Sequence, residues 1–498
     1  MSEVTLRSAR ATLAALRMAR RCMQDQADEE AATHLLLLLV LLKVASDAQA
    51  DRRAPASRGA DAPDLPPPAG ARALEIVPST DFERLGRAPL DGLAMRVRNV
   101  LNTFCLDNRQ ALGEVTEILD VASGLPGDAA MYRVLERLRI PALDFRVRNG
   151  HQRPDLAEAT DQILGQAQGR RSREDGLHVP DALASVMVAL LDPRDGDQVY
   201  DPSCHHGCLL LACARWAQQV QPTARLRLHG QEADRRRWAM ARVRFLLHGQ
   251  NGNGLEATDP LSDVAHLCSA PLRRHVQVAL SRPPLTLRWD STLGSLDIHG
   301  RFQHGIAPRQ WAHMALIQHM RAQLDPRAGR MAVVVPNGVL FRDGEEAKIR
   351  RALLEANEVD LIISLPERLF KGTAMSTSLL VLRKARQDPS VLFIDTRPLL
   401  QAAGKGARMD DSIARQVIQL CQQRCNVPGI SEVVPVTEIL STDAVLNVAR
   451  HVQADPEEAG CTDPRTLRDT RMRLHLEAEA LLRELDGQVE AMARETEL

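Results

Sequence analysis

From about residue 175 to 383, short β-branched and apolar runs alternate with longer helical patterns. That alternation constrains the fold most strongly, because strands separated by helices pair in parallel and carry helices on both faces. The expected strands are 198–201, 226–232, 255–259, 276–281, 330–336, 359–365 and 378–383. The expected helices are 209–219, 235–248, 308–324 and 345–357. The fold class is therefore α/β, a doubly wound, mostly parallel, Rossmann-like sheet. Such sheets bind ligands in the crevice outside the carboxyl ends of their strands.

The first strand opens the most informative stretch. Val199 and Tyr200 lead into Asp201, Pro202, Ser203, Cys204, His205, His206, Gly207 and Cys208, and an apolar helix follows. A nucleotide-binding turn in this place favours glycine, because backbone must approach the ligand and take positive φ. Here Gly207 remains, while His205, His206 and Cys208 stand where further glycines are expected. Asp201, Glu232 and Asp259 end three consecutive expected strands and would converge on one crevice. Glu232 is placed to accept hydrogen bonds from a ribose, Asp259 from an adenine amino group, and Asp201 from another part of the ligand. Together these acids point to S-adenosylmethionine.

Elsewhere the chain is helical. Residues 1–47 hold neither Gly nor Pro and read as helix. The segment 48–72, with Pro66, Pro67 and Pro68, reads as a mobile linker. Helical patterns resume over 73–165, so an all-α N-terminal domain is drawn over 1–165, an α/β domain over 166–400 and an extension over 401–498. An amphipathic helix over 464–495 carries Leu467, Leu474, Ala478, Leu481, Leu485 and Met492 at near-heptad spacing, which suits docking on its own domain or a partner.

Net charge is -1, with Lys only at 43, 348, 371, 384 and 405, so no global field draws the chain onto nucleic acid. Any DNA contact is local or comes through a partner. The nine cysteines and the absence of a leader-like opening suit a reduced, cytoplasmic protein. The apolar run 35–42 is too short to span a membrane and reads as a buried helix. Cys204, His205, His206, Cys208 and Cys213 are ligand types, but without a Cys-x-x-Cys pair no metal site is assigned. Basic helix 234–244 reads as a solvated face, and Trp311, His313 and His319 as core or helix-face residues.

Over about 160–400 the chain resembles the methylation subunit of type I restriction–modification systems, an N6-adenine DNA methyltransferase. Asp201-Pro202-Ser203-Cys204-His205-His206-Gly207-Cys208 lies over the family's Asp-Pro-x-Cys-Gly-x-Gly-Gly. Gly230-Gln231-Glu232, Val335 to Phe341, Leu365 to Thr373, Val391 to Asp395 and Leu446 to Arg450 also resemble family segments, as does the early helix 38–47. The resemblance implies S-adenosylmethionine as cofactor and double-stranded DNA as substrate, engaged through a complex. That complex would hold a specificity-type subunit, with a second methylation subunit and a nuclease subunit as further partners.

Three family motifs are altered. The catalytic tetrad, Asn-Pro-Pro-Phe or Asn-Pro-Pro-Tyr, is here Arg282-Pro283-Pro284-Leu285. Arg has five donors and no acceptor for an adenine amino group, and Leu285 cannot stack on a flipped base as an aromatic ring does. Ser281 stands one residue early. The segment that covers the cofactor's methionine end, Gly-Glu-Phe-Tyr-Thr-Pro, is Asp175 to Pro180, with His178, Val179 and Pro180 where the family has Tyr, Thr and Pro. In the opening turn, side chains at His205, His206 and Cys208 would fill the space of the cofactor. Two readings stand: a pseudo-methyltransferase that holds DNA or partners, and an active N6-adenine methyltransferase.

Overall fold

In the computed structural model, residues 3–453 are described apart from 24–28, 54–69, 120, 122–124, 147–152, 172–178, 263–274, 371–372 and 405–407. The expected helix 464–495 and His178 therefore lie outside the described residues.

The N-terminal part is helical, as expected. Its long helices are α1 (Glu3–Arg21), α2 (Glu29–Arg53), α3 (Leu93–Asp107), α4 (Asp128–Leu138) and α5 (Arg153–Arg171). Helix α2 is buried all round from Ala32 to Ala48, because Leu35 to Leu42 give it no polar face. By length and composition it could cross a membrane, yet it forms the centre of this core. Lys43 and Asp47, buried one turn apart within it, pair at 3.0 Å, and the Phe145 amide donates to Asp47. Two expectations need correction here. Residues 48–53 continue α2 and are not linker, and the helix expected to close the domain near 165 runs on to Arg171.

A nine-stranded sheet follows, in the order β3-β2-β1-β4-β5-β7-β6-β8-β9. Its strands are β1 (Gln198–Asp201), β2 (Arg227–Gln231), β3 (Leu255–Glu256), β4 (Val278–Ser281), β5 (Arg330–Pro336), β6 (Val359–Ser364), β7 (Thr377–Arg383), β8 (Ser390–Asp395) and β9 (Ser431–Pro435). Strands β1 to β5 pair in parallel, while β7 inserts antiparallel between β5 and β6. Central strands such as β5 are buried on both faces, which their unbroken Val and Met runs permit. Helices α6 (Asp181–Leu191), α7 (Cys208–Val220), α8 (Arg235–Leu247), α9 (His313–Gln323), α10 (Glu345–Glu355) and α11 (Asp411–Gln423) cover the two faces. Helix α9 begins at His313, five residues after its expected start at 308.

The sheet also passes the boundary expected at 400. Strand β9 pairs antiparallel with β8, and Val434, Val436, Ile439, Leu446 and Val448 join the core beneath β8. Residues 401–453 thus complete the α/β unit and are not a separate extension.

Helix α8 joins the two parts. Ala239, Met240, Val243, Leu246 and Leu247 enter the N-terminal core, while Ala241 and Phe245 enter the α/β core. The two sets lie on different faces at helical spacing, so one helix serves both cores. The solvated face expected for this basic stretch is absent over its second half: Arg242 and Arg244 are buried. Arg242 Nε donates to the Ala111 carbonyl at 2.8 Å. Arg244 Nε donates to Asp161 on α5 at 2.6 Å.

Candidate functional site

The crevice lies where the strand order reverses, between the parallel strands β1 and β4, as the doubly wound plan requires. The turn after β1 forms its floor. Gly207 caps α7 at φ +72°, and a Cβ there would stand 2.3 Å from Phe245 Cε2. Gly230, at the end of β2, would drive a Cβ to 2.9 Å from Cys204 Sγ. These glycines let α8 and the Cys204 thiol close against the backbone. Burial holds the Cys204 and Cys213 thiols far on the protonated side.

His205 also takes the left-handed conformation, at φ +50°. A side chain with Cβ is strained there, and it persists because contacts fix it. The imidazole is buried in the crevice. Its Nε2 donates to the Arg282 carbonyl at 3.0 Å. Its Nδ1 lies 3.2 Å from Glu232 Oε2, a close electrostatic contact and not an aligned hydrogen bond. The backbone amide of His205 donates to the same oxygen at 3.0 Å. The other oxygen, Glu232 Oε1, accepts from the Asp234 amide at 2.9 Å and from Arg237 Nε at 3.0 Å. Burial pushes the Glu232 carboxyl up, but the His205 and Arg237 contacts outweigh it and bring it down to about 2. Three of the four acceptor positions of this carboxylate are thus engaged from within the chain, and the imidazole stands against the oxygen that carries the fourth.

Asp201 is similarly committed. Its Oδ1 accepts from the Ser203 amide at 3.0 Å and from Ser281 Oγ at 2.8 Å. Burial pushes its carboxyl up to about 6, against those two hydrogen bonds. Ser281 is fully buried and turned toward β1, so it cannot stand in for the missing Asn of the tetrad.

The tetrad position follows β4. Arg282 is buried, with its guanidinium 4.5 Å above the Phe370 ring. Pro283 and Leu285 are buried and Pro284 half-buried. The Pro284 carbonyl accepts from His313 Nε2 at 3.1 Å. Burial brings the His313 imidazole down to about 4, so the ring is neutral at pH 7. His205 and His313 therefore occupy the carbonyls on either side of Pro283. Sequence reasoning missed both contacts, along with Phe370: His313 had been assigned to the core, and no local signal links it to Pro284.

Strand β3 stops at Glu256, so Asp259 lies beyond it, half-buried in a turn where it accepts from the Leu261 amide at 2.9 Å. Val179 is buried and Pro180 half-buried, at the mouth of α6. Pro202 and Cys204 are buried in the turn, where the Cys204 amide donates to the Gln231 carbonyl. Cys208 does not fill the crevice. Its Sγ meets Arg244 Nη1 at 2.9 Å on the α8 side, and the same nitrogen donates to the His206 carbonyl. Burial beside Arg244 holds the His206 imidazole well below its usual range. Of the two side chains at the motif's glycine positions 205 and 208, only His205 lies in the crevice. Among the described residues, no three His, Cys, Asp or Glu side chains converge as metal ligands would.

Three features of this arrangement oppose S-adenosylmethionine here: three acceptor positions of Glu232 are taken within the chain, the His205 ring lies between Glu232 and the Arg282 carbonyl, and Val179 has no hydroxyl.

A family model described as N-6 DNA Methylase matches residues 152–459, from α5 past the last strand of the sheet. The chain is 24% identical over 422 residues to the type I restriction enzyme MjaVII methylase subunit of Methanocaldococcus jannaschii, covering 80% of this chain and 70% of that protein. It is 27% identical over 292 residues to the type I restriction enzyme MpnII methylase subunit of Mycoplasma pneumoniae, covering 56% of this chain. The aligned stretch spans about half, 52%, of that relative's length. In fold it resembles the methyltransferase subunit of a type I restriction–modification system from Streptococcus thermophilus, with TM-score 0.74 and 24% identity. That likeness covers 89% of this chain and 100% of the other.

Proposed function

The chain belongs to the N-6 DNA methylase family, and from that starting point we propose that it is a catalytically silent methylation subunit, a DNA-holding and assembly scaffold in a DNA-modification or defence complex. The observation that carries this reading is the His205 imidazole, wedged between Glu232 and the Arg282 carbonyl. It occupies the place of the cofactor with a side chain the sheet itself holds. Arg282 adds a second block, since it supplies no acceptor for an adenine amino group and brings positive charge toward a cationic methyl donor.

The scaffold around this crevice is retained. The mostly parallel sheet, the shared helix α8 and the buried strand segment 391–395 support assembly without methyl transfer. The partners proposed are double-stranded DNA, a specificity-type subunit, and with it a second methylation subunit and a nuclease subunit, in the cytoplasm. The helix expected over 464–495 is the candidate partner contact.

Calorimetric titration of the full chain with S-adenosylmethionine tests the reading. No heat is expected from the native protein. His205→Gly relieves the positive φ and vacates the wedge, so cofactor binding should appear in that variant, while methyl transfer to duplex DNA stays absent because Arg282 remains. The second reading, an active N6-adenine methyltransferase, draws support from the retained Asp201 and Glu232. Micromolar binding by the native chain together with labelled methyl incorporation into DNA would establish it and end the first.

A further inference from the structure

We infer that Arg288 and Arg309 clasp a backbone phosphodiester of duplex DNA, at a concavity beside the tetrad position. The inference rests on the DNA-holding reading above and specifies where that contact is made.

The chain leaves β4 at Ser281, passes through Arg282 to Leu285, and makes a long excursion before α9 begins at His313. Helix α9 runs back against the strands, so its first turn and this excursion stand at the carboxyl edge of the sheet. His313 Nε2 on the Pro284 carbonyl ties the two ends together. In between lies a concavity of about 410 Å³ lined by Arg288, Trp289, Asp290, Arg309 and Gln310.

Its floor is fixed. Trp289 is buried, donates from Nε1 to the Ala307 carbonyl at 3.1 Å, and packs against the Phe302 ring at 5.0 Å. The Trp289 amide donates to the Arg309 carbonyl at 3.2 Å, and the Ala312 amide to the Leu287 carbonyl at 3.2 Å. These backbone bonds set Arg288 and Arg309 on neighbouring segments, seven and twenty-eight residues beyond the strand end at Ser281.

The charge is left available. Both arginines are exposed, and among the described residues neither has a hydrogen-bonded or ion-paired side-chain partner. Two arginines near them in the chain are paired instead, Arg301 with Asp297 at 2.8 Å and Arg321 with Glu358 at 2.6 Å. The one carboxylate in the concavity, Asp290, accepts from the Thr292 amide at 3.1 Å and Thr292 Oγ1 at 2.7 Å, and it also feels the Arg309 charge without forming an ion pair with it. Two guanidinium groups against one committed carboxylate leave net positive charge, and Gln310 adds an amide. Guanidinium forks match phosphate oxygens, and such contacts fix register without reading sequence. An acidic protein surface is the competing occupant. Duplex DNA is favoured because the concavity opens at the edge where the tetrad stands.

The test is fluorescence anisotropy of the full chain with a labelled duplex, titrated with NaCl from about 50 to 200 mM. Native protein and the Arg288→Ala/Arg309→Ala double variant are compared, with thermal melting to show that both fold. The double variant should bind roughly tenfold more weakly, with the slope of log K against log salt reduced by about 0.9. Equal affinity and slope would overturn this site and leave the DNA-holding reading intact. Failure of native protein to bind the duplex would overturn both. Binding of poly-glutamate more tightly than the duplex, lost in the double variant, would assign the concavity to an acidic protein and overturn the inference.

Discussion

His205 and Asp201 show how single residues set the chemistry of this crevice. His205 lies at a glycine position of the family motif, keeps the glycine conformation at φ +50°, and spends its ring on Glu232 and the Arg282 carbonyl. Burial pushes both carboxyls beside it up, but the contacts of Glu232 outweigh it and those of Asp201 do not, so the two end shifted in opposite directions. Asp201 is raised to about 6, so the folded state holds its proton more tightly than the unfolded chain does. Its contribution to stability is full near pH 4 and is lost as pH rises through 6. Asp201→Asn should therefore match the native protein at pH 4 and exceed it at pH 7.5 by on the order of 2–3 kcal/mol, measured by urea denaturation at both pH values. Glu232 is lowered to about 2, so its contribution is present above the ordinary carboxylate range and lost as pH falls through 2. Glu232→Gln should cost on the order of 3 kcal/mol at pH 7 and progressively less toward pH 3, in the same assay. A variant pair that shifted in the same direction at pH 7 would refute this account of the site.

The turn between β1 and α7 and the helix α8 show the same logic one level up. Most elements were legible because their signals are local: apolar runs for strands such as β5 and a Gly before the apolar run of α7. Errors fell where a partner decides. Strand β3 shortens to Leu255–Glu256 because only Gly230 and Gln231 of β2 pair with it. Glycine at 207 is required by a residue far along the chain, Phe245. Gly207→Ala should force both a positive φ on a Cβ and a clash at 2.3 Å with the Phe245 ring. A loss of roughly 2–4 kcal/mol is expected, visible as a lowered melting temperature; Phe245→Ala in the same background should not restore it, since it opens a cavity of its own.

For the whole molecule, one ion pair and one shared helix decide whether the two cores behave as a unit. Arg244 on α8 binds Asp161 on α5 and, through the same guanidinium, the His206 carbonyl and Cys208 Sγ of the crevice turn. His248 adds a contact to Asp161 at 2.9 Å. The Arg244 guanidinium and the His248 contact hold the Asp161 carboxyl far below the ordinary range despite its burial. Arg244→Ala would leave that carboxylate short of a partner and should cost on the order of 3 kcal/mol. Hydrogen exchange should then show α5 opening separately from β1, whereas the native protein should protect the two together. Independent opening of α5 in the native protein would contradict the shared-helix account.

The amino-acid sequence alone determined the α/β class, the strand and helix order from 198 to 383, the helical N-terminal part, and the family resemblance through segments such as 335–341 and 365–373. It also marked Arg282, Val179 and His205 as departures, because those facts are residue identities. The tertiary structure alone decided what the departures do. Only packing turns His205 into the crevice and Cys208 away from it. Only pairing adds β9 to the sheet. Only a second core buries the latter half of the basic helix α8 between two parts. The reason is physical: periodicity and turn chemistry act between neighbours, whereas the partners of His205, Cys208, Gly207 and Arg244 lie tens of residues away and are chosen by how the sheet and helices stack.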